Sequence, residues 1–214
     1  MVAKAAKNTT ANPGTRKRMA PDERRREILR VALDVCSSGQ FASVTMRDVA
    51  LASNVNIALI YYYFKSKEHL VASVIEQSMR QTLELYENQV AGVTDPHEAL
   101  DKWFQVNSSF FAPLKKMVQI MVRYQNSSSV PSLIDQQIRK FYRSERQIIR
   151  RCVAKGIETG CFRRIDPVAA AAFISAHLDG ILFVSLSRPW TDMRSFMHLQ
   201  WRELWDYLQP NRDP

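Results

Sequence analysis

The run Tyr61-Tyr62-Tyr63-Phe64-Lys65-Ser66-Lys67-Glu68-His69-Leu70 holds the densest set of chemically able side chains in the sequence. Phenolic hydroxyls and ammonium groups donate hydrogen bonds and positive charge, which suits contacts to phosphate oxygens rather than bond making. Three consecutive tyrosines cannot share one side of a helix, so at least one must be exposed. Upstream, Arg16, Lys17, Arg18, Arg24, Arg25 and Arg26 form a basic block. Groups that make or break bonds are harder to assemble. His69, His97, His177 and His198 form no HExxH pair and no Cys/His zinc spacing, and no G-x-S-x-G occurs. His177 and Asp179 are two residues apart, and helix positions two apart do not face each other. Of six glycines only Gly156 and Gly160 lie close, with no Lys-Ser/Thr after them, which excludes a P-loop and a dinucleotide fingerprint. The expectation is no enzyme, no metal and no cofactor.

Elements must position the tyrosine and lysine run. The chain has 214 residues, 46% apolar and 24% charged, enough for one core or a core plus a small satellite domain. Its formal charge is +9, of which the first 70 residues contribute +6 and the remaining 144 contribute +3. A basic end on a nearly balanced body is a footprint for phosphate backbones, although a solvated charged tail would look the same. Three cysteines cannot all pair. If Cys152 and Cys161 share a helix they stand about 13 Å apart, too far for a disulfide. With no apolar stretch at the polar N-terminus, a reduced, cytoplasmic protein is expected.

No segment alternates apolar and polar residues between turn signals, so no sheet is expected. Helical period recurs throughout, with about nine helices, three short and six longer. Residues 1–20 read as a disordered basic arm. Residues 22–37 place Ile28, Leu29, Ala32, Leu33 and Cys36 on one face, and Gly39 closes that helix. Thr45 and Asp48 form a capping box, with Val44 stapled onto Val49. A second short helix runs from the Asn56 cap to about Tyr63, and Lys65-Ser66-Lys67-Glu68 opens a long one to about residue 91. Asp95-Pro96, Pro113, Pro131 and Asp166-Pro167 mark four further starts. The last helix spans about Thr191 to Leu208. Val168–Leu186 is nearly all apolar and about a bilayer's length, but Asp179 and His177 favour a helix buried in a bundle or a dimer interface over a membrane span.

Ala50, Asn54 and Ile60 stand at i, i+4 and i+10. Those are the small crossing residue, the turn residue tolerant of positive φ, and the inward apolar residue that a helix-turn-helix needs. With the run that follows, residues 24–70 resemble the tetracycline-repressor (TetR) family of bacterial transcription regulators. The pattern T-x-R-D-[IV]-A is present as Thr45, Arg47, Asp48, Val49 and Ala50, and Y-x-x-F-x-x-K-x-x-L as Tyr61, Phe64, Lys67 and Leu70. Asn54 stands for the family's turn glycine. Asn56-Ile57-Ala58-Leu59 replaces its polar Ser-Lys-Gly-Thr opening, which suggests contacts to thymine methyls.

The resemblance implies an all-α protein with a helix-turn-helix domain at 21–70 and a ligand-binding, dimerising bundle at 71–214. It implies a homodimeric repressor of a palindromic operator, released by a small hydrophobic or aromatic effector. Thr45 would bind a phosphate, and Arg47 backbone or base. Asn56, Ile57, Ala58, Leu59 and Tyr62 would face the major groove, and Tyr61, Tyr63 and Lys67 would clamp the backbone. The arm around Arg16–Arg18 would enter a minor groove. An effector pocket would draw on Trp103, Asn107, Phe110, Met117, Met121, Tyr124, Phe141, Phe173 and His177, although each taken singly reads first as plain core. Val168–Leu186 and Thr191–Leu208 would be the dimer helices, with Ala169–Ala172, Ala176 and Gly180 allowing close approach and Trp190, Trp201 and Trp205 adding area. The other reading is a basic helical adaptor that binds a protein partner and touches DNA without regard to sequence.

Overall fold

The computed structural model describes residues 20–38, 43–125 and 132–210. Among them are nine helices and no strand: α1 Pro21–Ser38, α2 Met46–Ala52, α3 Ile57–Tyr63, α4 Lys67–Val90, α5 Pro96–Ser109, α6 Phe111–Gln125, α7 Leu133–Glu158, α8 Pro167–Ser187 and α9 Met193–Leu208. The expected arm with Arg16–Arg18, the Gly39 cap and Pro131 lie outside the described residues.

Local chemistry explains the boundaries. Thr45 accepts from the Asp48 N–H while the Asp48 carboxylate accepts from the Thr45 N–H at 2.8 Å, closing the box that starts α2. Ser66 caps α4, and Ser132 with Asp135 forms a second box at α7. Asp95 and Asp166 cap α5 and α8, each followed by proline where the missing N–H costs nothing. The expected start at Pro113 is off by two residues. Phe110 closes α5 through its N–H to the Val106 carbonyl, and α6 begins at once with Phe111. Pro113 therefore sits in the first turn, where no intrahelical acceptor is lost. Cys161 lies beyond the end of α7, so it does not share a helix with Cys152; all three cysteines are free. At that junction the Phe162 ring lies against Gly156, leaving no room for a Cβ, and Gly160 turns the chain at φ 76°.

Two apolar clusters fill the interior. The first joins α1–α4 to α6, α7 and Leu182 of α8; the second joins α4, α5, α7, α8 and α9 around Trp103, Phe104 and Phe162. The core does not divide at residue 70, because α4 belongs to both clusters. Among the described residues α8 is the one helix long and apolar enough to cross a bilayer. Here it pairs with α7 instead, through Ser175 to Glu145 at 2.5 Å and Tyr142 to Asp179 at 3.2 Å.

Candidate nucleic-acid interface

Helices α1, α2 and α3 form the N-terminal head. Both α2 and α3 are short, but α1, expected to be short as well, runs 18 residues because its apolar face continues to Cys36. Asn54 adopts φ 51°, the left-handed turn that allows the Val55 N–H to reach the Ala50 carbonyl at 3.0 Å. Ala50 is buried where α2 and α3 meet, and Ile60 and Phe64 are fully buried beneath α3. This orientation decides which residues face out. Ile57, Ala58, Tyr61 and Tyr62 share the exposed face of α3, with Tyr62 78% exposed. Leu59 is half-buried at its edge. Such apolar and phenolic exposure next to a buried Ile60 is what a docking face requires.

The remaining expected contacts are placed differently from one another. Arg47 is exposed on α2. Thr45 is exposed too, but its hydroxyl donates to Asp48 at 2.8 Å, so it serves first as a cap. That bond holds the Asp48 carboxyl below the usual range. Asn56 spends its side-chain oxygen on the Ala58 N–H at 2.8 Å. Tyr63 departs from the expected phosphate clamp: it is half-buried and donates its hydroxyl to the Pro21 carbonyl at 3.1 Å, pinning the start of α1 to the end of α3. Lys67 is the first residue of α4, half-buried near Cys36; burial lowers its pKa and pushes the Cys36 thiol up to about 11. A lysine at a helix N-terminus adds its charge to backbone N–H groups that already favour an anion. Arg25 does not face outward as the basic block suggested. It lies 5.4 Å from the Phe64 ring and 3.4 Å from the Ser73 hydroxyl.

Leu51, exposed on α2 beside this face, was missed because an apolar residue in a short helix reads as core. So were the bonds from the head to the body. Lys116 pairs with Asp34 at 2.6 Å, Arg123 donates to the Ser37 carbonyl, and Gln77 donates to the Arg26 carbonyl at 3.4 Å. These residues carry no motif; only the tertiary fold brings them to α1.

The nine expected effector residues are not brought together. Met117, Met121, Tyr124 and Phe141 pack in the first cluster, Trp103 in the second. Phe110 is the cap of α5, and Asn107 bonds to the Trp103 carbonyl at 2.8 Å. Phe173 and His177 lie on the outer side of α8, with Phe173 against Tyr207 and nearly half exposed, so they line no interior cavity. His177, partly buried, has its pKa lowered by that burial. Trp201 and Trp205 stack on Phe104 and His97 within the chain, whereas Trp190 stays exposed.

Comparison with known proteins bears on this geometry. The family model for bacterial regulatory proteins of the tetR family matches residues 28–74, the head and the first turns of α4. Beyond the head, the transcriptional repressor KstR2 of Mycolicibacterium smegmatis is 26% identical over 155 residues, 68% of this chain and 73% of that protein. The head of this chain matches the TetR family model, and most of its length is similar to a repressor. The repressor NicS of Pseudomonas putida is 25% identical over 154 residues, covering 72% of each chain. Two solved structures share the fold at lower identity. A transcriptional regulator from Saccharomonospora viridis in complex with choline has a TM-score of 0.77 at 18% identity, covering 89% of this chain and all of that one. The SmeT–triclosan complex has a TM-score of 0.74 at 19% identity, covering 88% and 93%. The chain is therefore a DNA-binding transcriptional repressor, and its relatives are regulators of transcription rather than enzymes.

Lys67→Ala should weaken binding to every DNA sequence by a similar factor and flatten the dependence of log affinity on log salt by about one unit. Anisotropy titrations at several salt concentrations read this directly. A loss confined to one base position would contradict a phosphate contact.

Proposed function

We propose that this repressor acts in the cytoplasm as a homodimer, binds a palindromic operator through two copies of α3, and is released by a small apolar effector. The observation that carries the reading is the outward face of α3, held in place by Ile60 and Phe64 beneath it. Residues 21–70 read DNA and residues 71–214 bind effector and partner; residues 1–20 serve as a basic arm. On this reading Asn56, Ile57, Ala58, Leu59 and Tyr62 enter the major groove, with Ile57 and Ala58 against thymine methyls. Arg47 meets backbone or base, and Tyr61, Lys67 and the helix start at Thr45 meet backbone.

Dimerisation rests on the outer face of α8 and α9. Phe173, Phe183 and Leu199 are exposed there, with Ala169, Ala176 and Gly180 between them, while Val168 and Ala172 turn towards the α7 side. Ala170 and Ala171 face α7 instead and are buried. An apolar face of this extent, with small residues allowing close approach, suits a second copy. Phe183→Glu should convert the dimer to monomer in sedimentation and lower operator affinity at least tenfold, because one half-site then binds alone. An unchanged mass would remove α8 from the interface.

Release is supported by a narrow, partly open cavity of about 20 Å³ between α5, α6, α8 and α9, lined by Asn107, Leu114, Leu182, Met197 and Trp201 among others. The buried Trp201 indole N–H has no acceptor there. An effector entering this space must push α6 outward. Because α6 holds α1 through Lys116 and Arg123, the shift would move the reading head, favouring a second arrangement of the two copies.

A further inference from the structure

The basic excess of the body is concentrated in one helix. After residue 70, α7 carries seven basic side chains against three acidic ones, and the rest of that stretch has eleven against twelve. Arg139, Arg143, Arg146 and Arg150 follow the spacing that keeps a row on one face, spanning about 16 Å. All four are exposed, and none is in an ion pair with the described residues. Arg146 Nε donates to the Tyr142 carbonyl at 3.2 Å, which lays its guanidinium along the helix.

Between this row and α8 runs an open groove of about 560 Å³, with Ile138, Val168, Ala171 and Ala172 as its apolar floor. The nearest carboxyls do not balance the arginines. Glu145 is fully buried on the Ser175 hydroxyl, and burial pushes its pKa up to about 8, so it is neutral at pH 7. Asp179 is bonded to the Tyr142 hydroxyl, and burial raises its pKa as well. Like charges one turn apart destabilise a helix, so an uncompensated row of four is a standing cost without an anion against it. Guanidinium forks pair with phosphate and carboxylate oxygens two at a time.

We propose that the α7–α8 groove is a binding site for a small amphiphilic anion, with an apolar chain on the Ile138–Ala172 floor and a phosphate or carboxylate head on the arginine row. The site is separate from the α3 face and from the small cavity at Trp201. A second copy of the chain is a poorer occupant. Its α8 and α9, with their caps, carry only Asp166, Asp179, Asp192, Glu203 and Asp206, of which Asp166, Asp179 and Asp192 are already hydrogen-bonded and Glu203 is paired with Arg202.

Calorimetric titration of the full chain with decyl phosphate, below its micellar concentration, tests the assignment. The expected result is one site per chain. Decanol and inorganic phosphate should bind at least tenfold more weakly, and so should decyl phosphate to the Arg143→Gln/Arg146→Gln variant. That variant should keep its melting temperature, since both side chains are exposed. No heat with decyl phosphate, equal binding by the variant, or equal binding of inorganic phosphate would overturn the proposal. So would a fall in sedimentation mass of the variant, which would make the row a contact between copies.

Discussion

Phe64→Ala is expected to lower stability by about 3–5 kcal/mol and to reduce operator binding more than any single change on the exposed face of α3. The ring is fully buried at the end of α3, and the Phe64 N–H closes that helix on the Ile60 carbonyl at 2.8 Å. Arg25 covers it from α1, and His69 meets its edge from α4, with ring centres 5.9 Å apart. Removing it leaves a cavity at the junction of α1, α3 and α4, where collapse would tilt the reading helix. The loss is a large part of a typical stability of about 5–15 kcal/mol. A melting temperature about 10 °C lower follows for a domain of this size. Phe64→Leu, which keeps much of the volume, should recover most of both properties. Calorimetry alongside anisotropy checks the pair; a Phe64→Ala protein that melts like the parent would show that the ring does not anchor α3.

Glu145→Gln is expected to be more stable than the parent at pH 8, with the advantage vanishing towards pH 4.5. Burial between α7 and α8 raises the Glu145 pKa from its ordinary 4.5 to about 8, and the Ser175 hydroxyl bond only partly offsets this. Between those values the unfolded chain releases its proton while the folded chain keeps it. The stability associated with the neutral acid is therefore fully present below pH 4.5 and is lost as pH rises through 8. The slope is about 1.4 kcal/mol per pH unit, for a difference on the order of 4 kcal/mol at the upper end. Glutamine cannot ionise and still offers Ser175 an acceptor. The groups facing Glu145 are Asp179, which also rises on burial, and Arg146, which pulls the other way; both remain in the variant and leave it a residual slope. Denaturant unfolding from pH 5 to pH 8 measures the divergence. Parallel curves would mean that Glu145 is charged in the folded protein.

Helix starts were legible because each is written in a few adjacent residues. Thr45 with Asp48, Asp95 with Pro96 and Asp166 with Pro167 satisfy the first N–H groups locally, whatever packs around them. Asn54 was legible as the turn for the same reason: few non-glycine side chains tolerate φ 51°. The misplacement of Pro113 shows the limit, since proline is equally at home at the first or third residue of a helix. What depends on the direction in which a face points was not legible. Phe173 has the composition of a pocket residue but lies on the outside of α8, and Tyr63 resembles a phosphate ligand but bonds to Pro21. Glu145 sits among arginines in a helix that reads as solvated, and its burial follows only from the approach of α8. The spacing of Arg139, Arg143, Arg146 and Arg150 was available as a stripe. Its meaning depends on the groove beside it.

The central claim is that α3 reads sequence, and footprinting on the DNA flanking the protein's own coding region tests it most directly. At physiological salt with excess competitor DNA, the account predicts protection of a palindrome whose half-sites lie about one helical turn, or a multiple of it, apart. Tyr62→Ala should relax preference at bases within the half-sites. Binding that rises and falls with salt alone, with no protected sequence over competitor, would contradict it and leave a basic helical adaptor in its place.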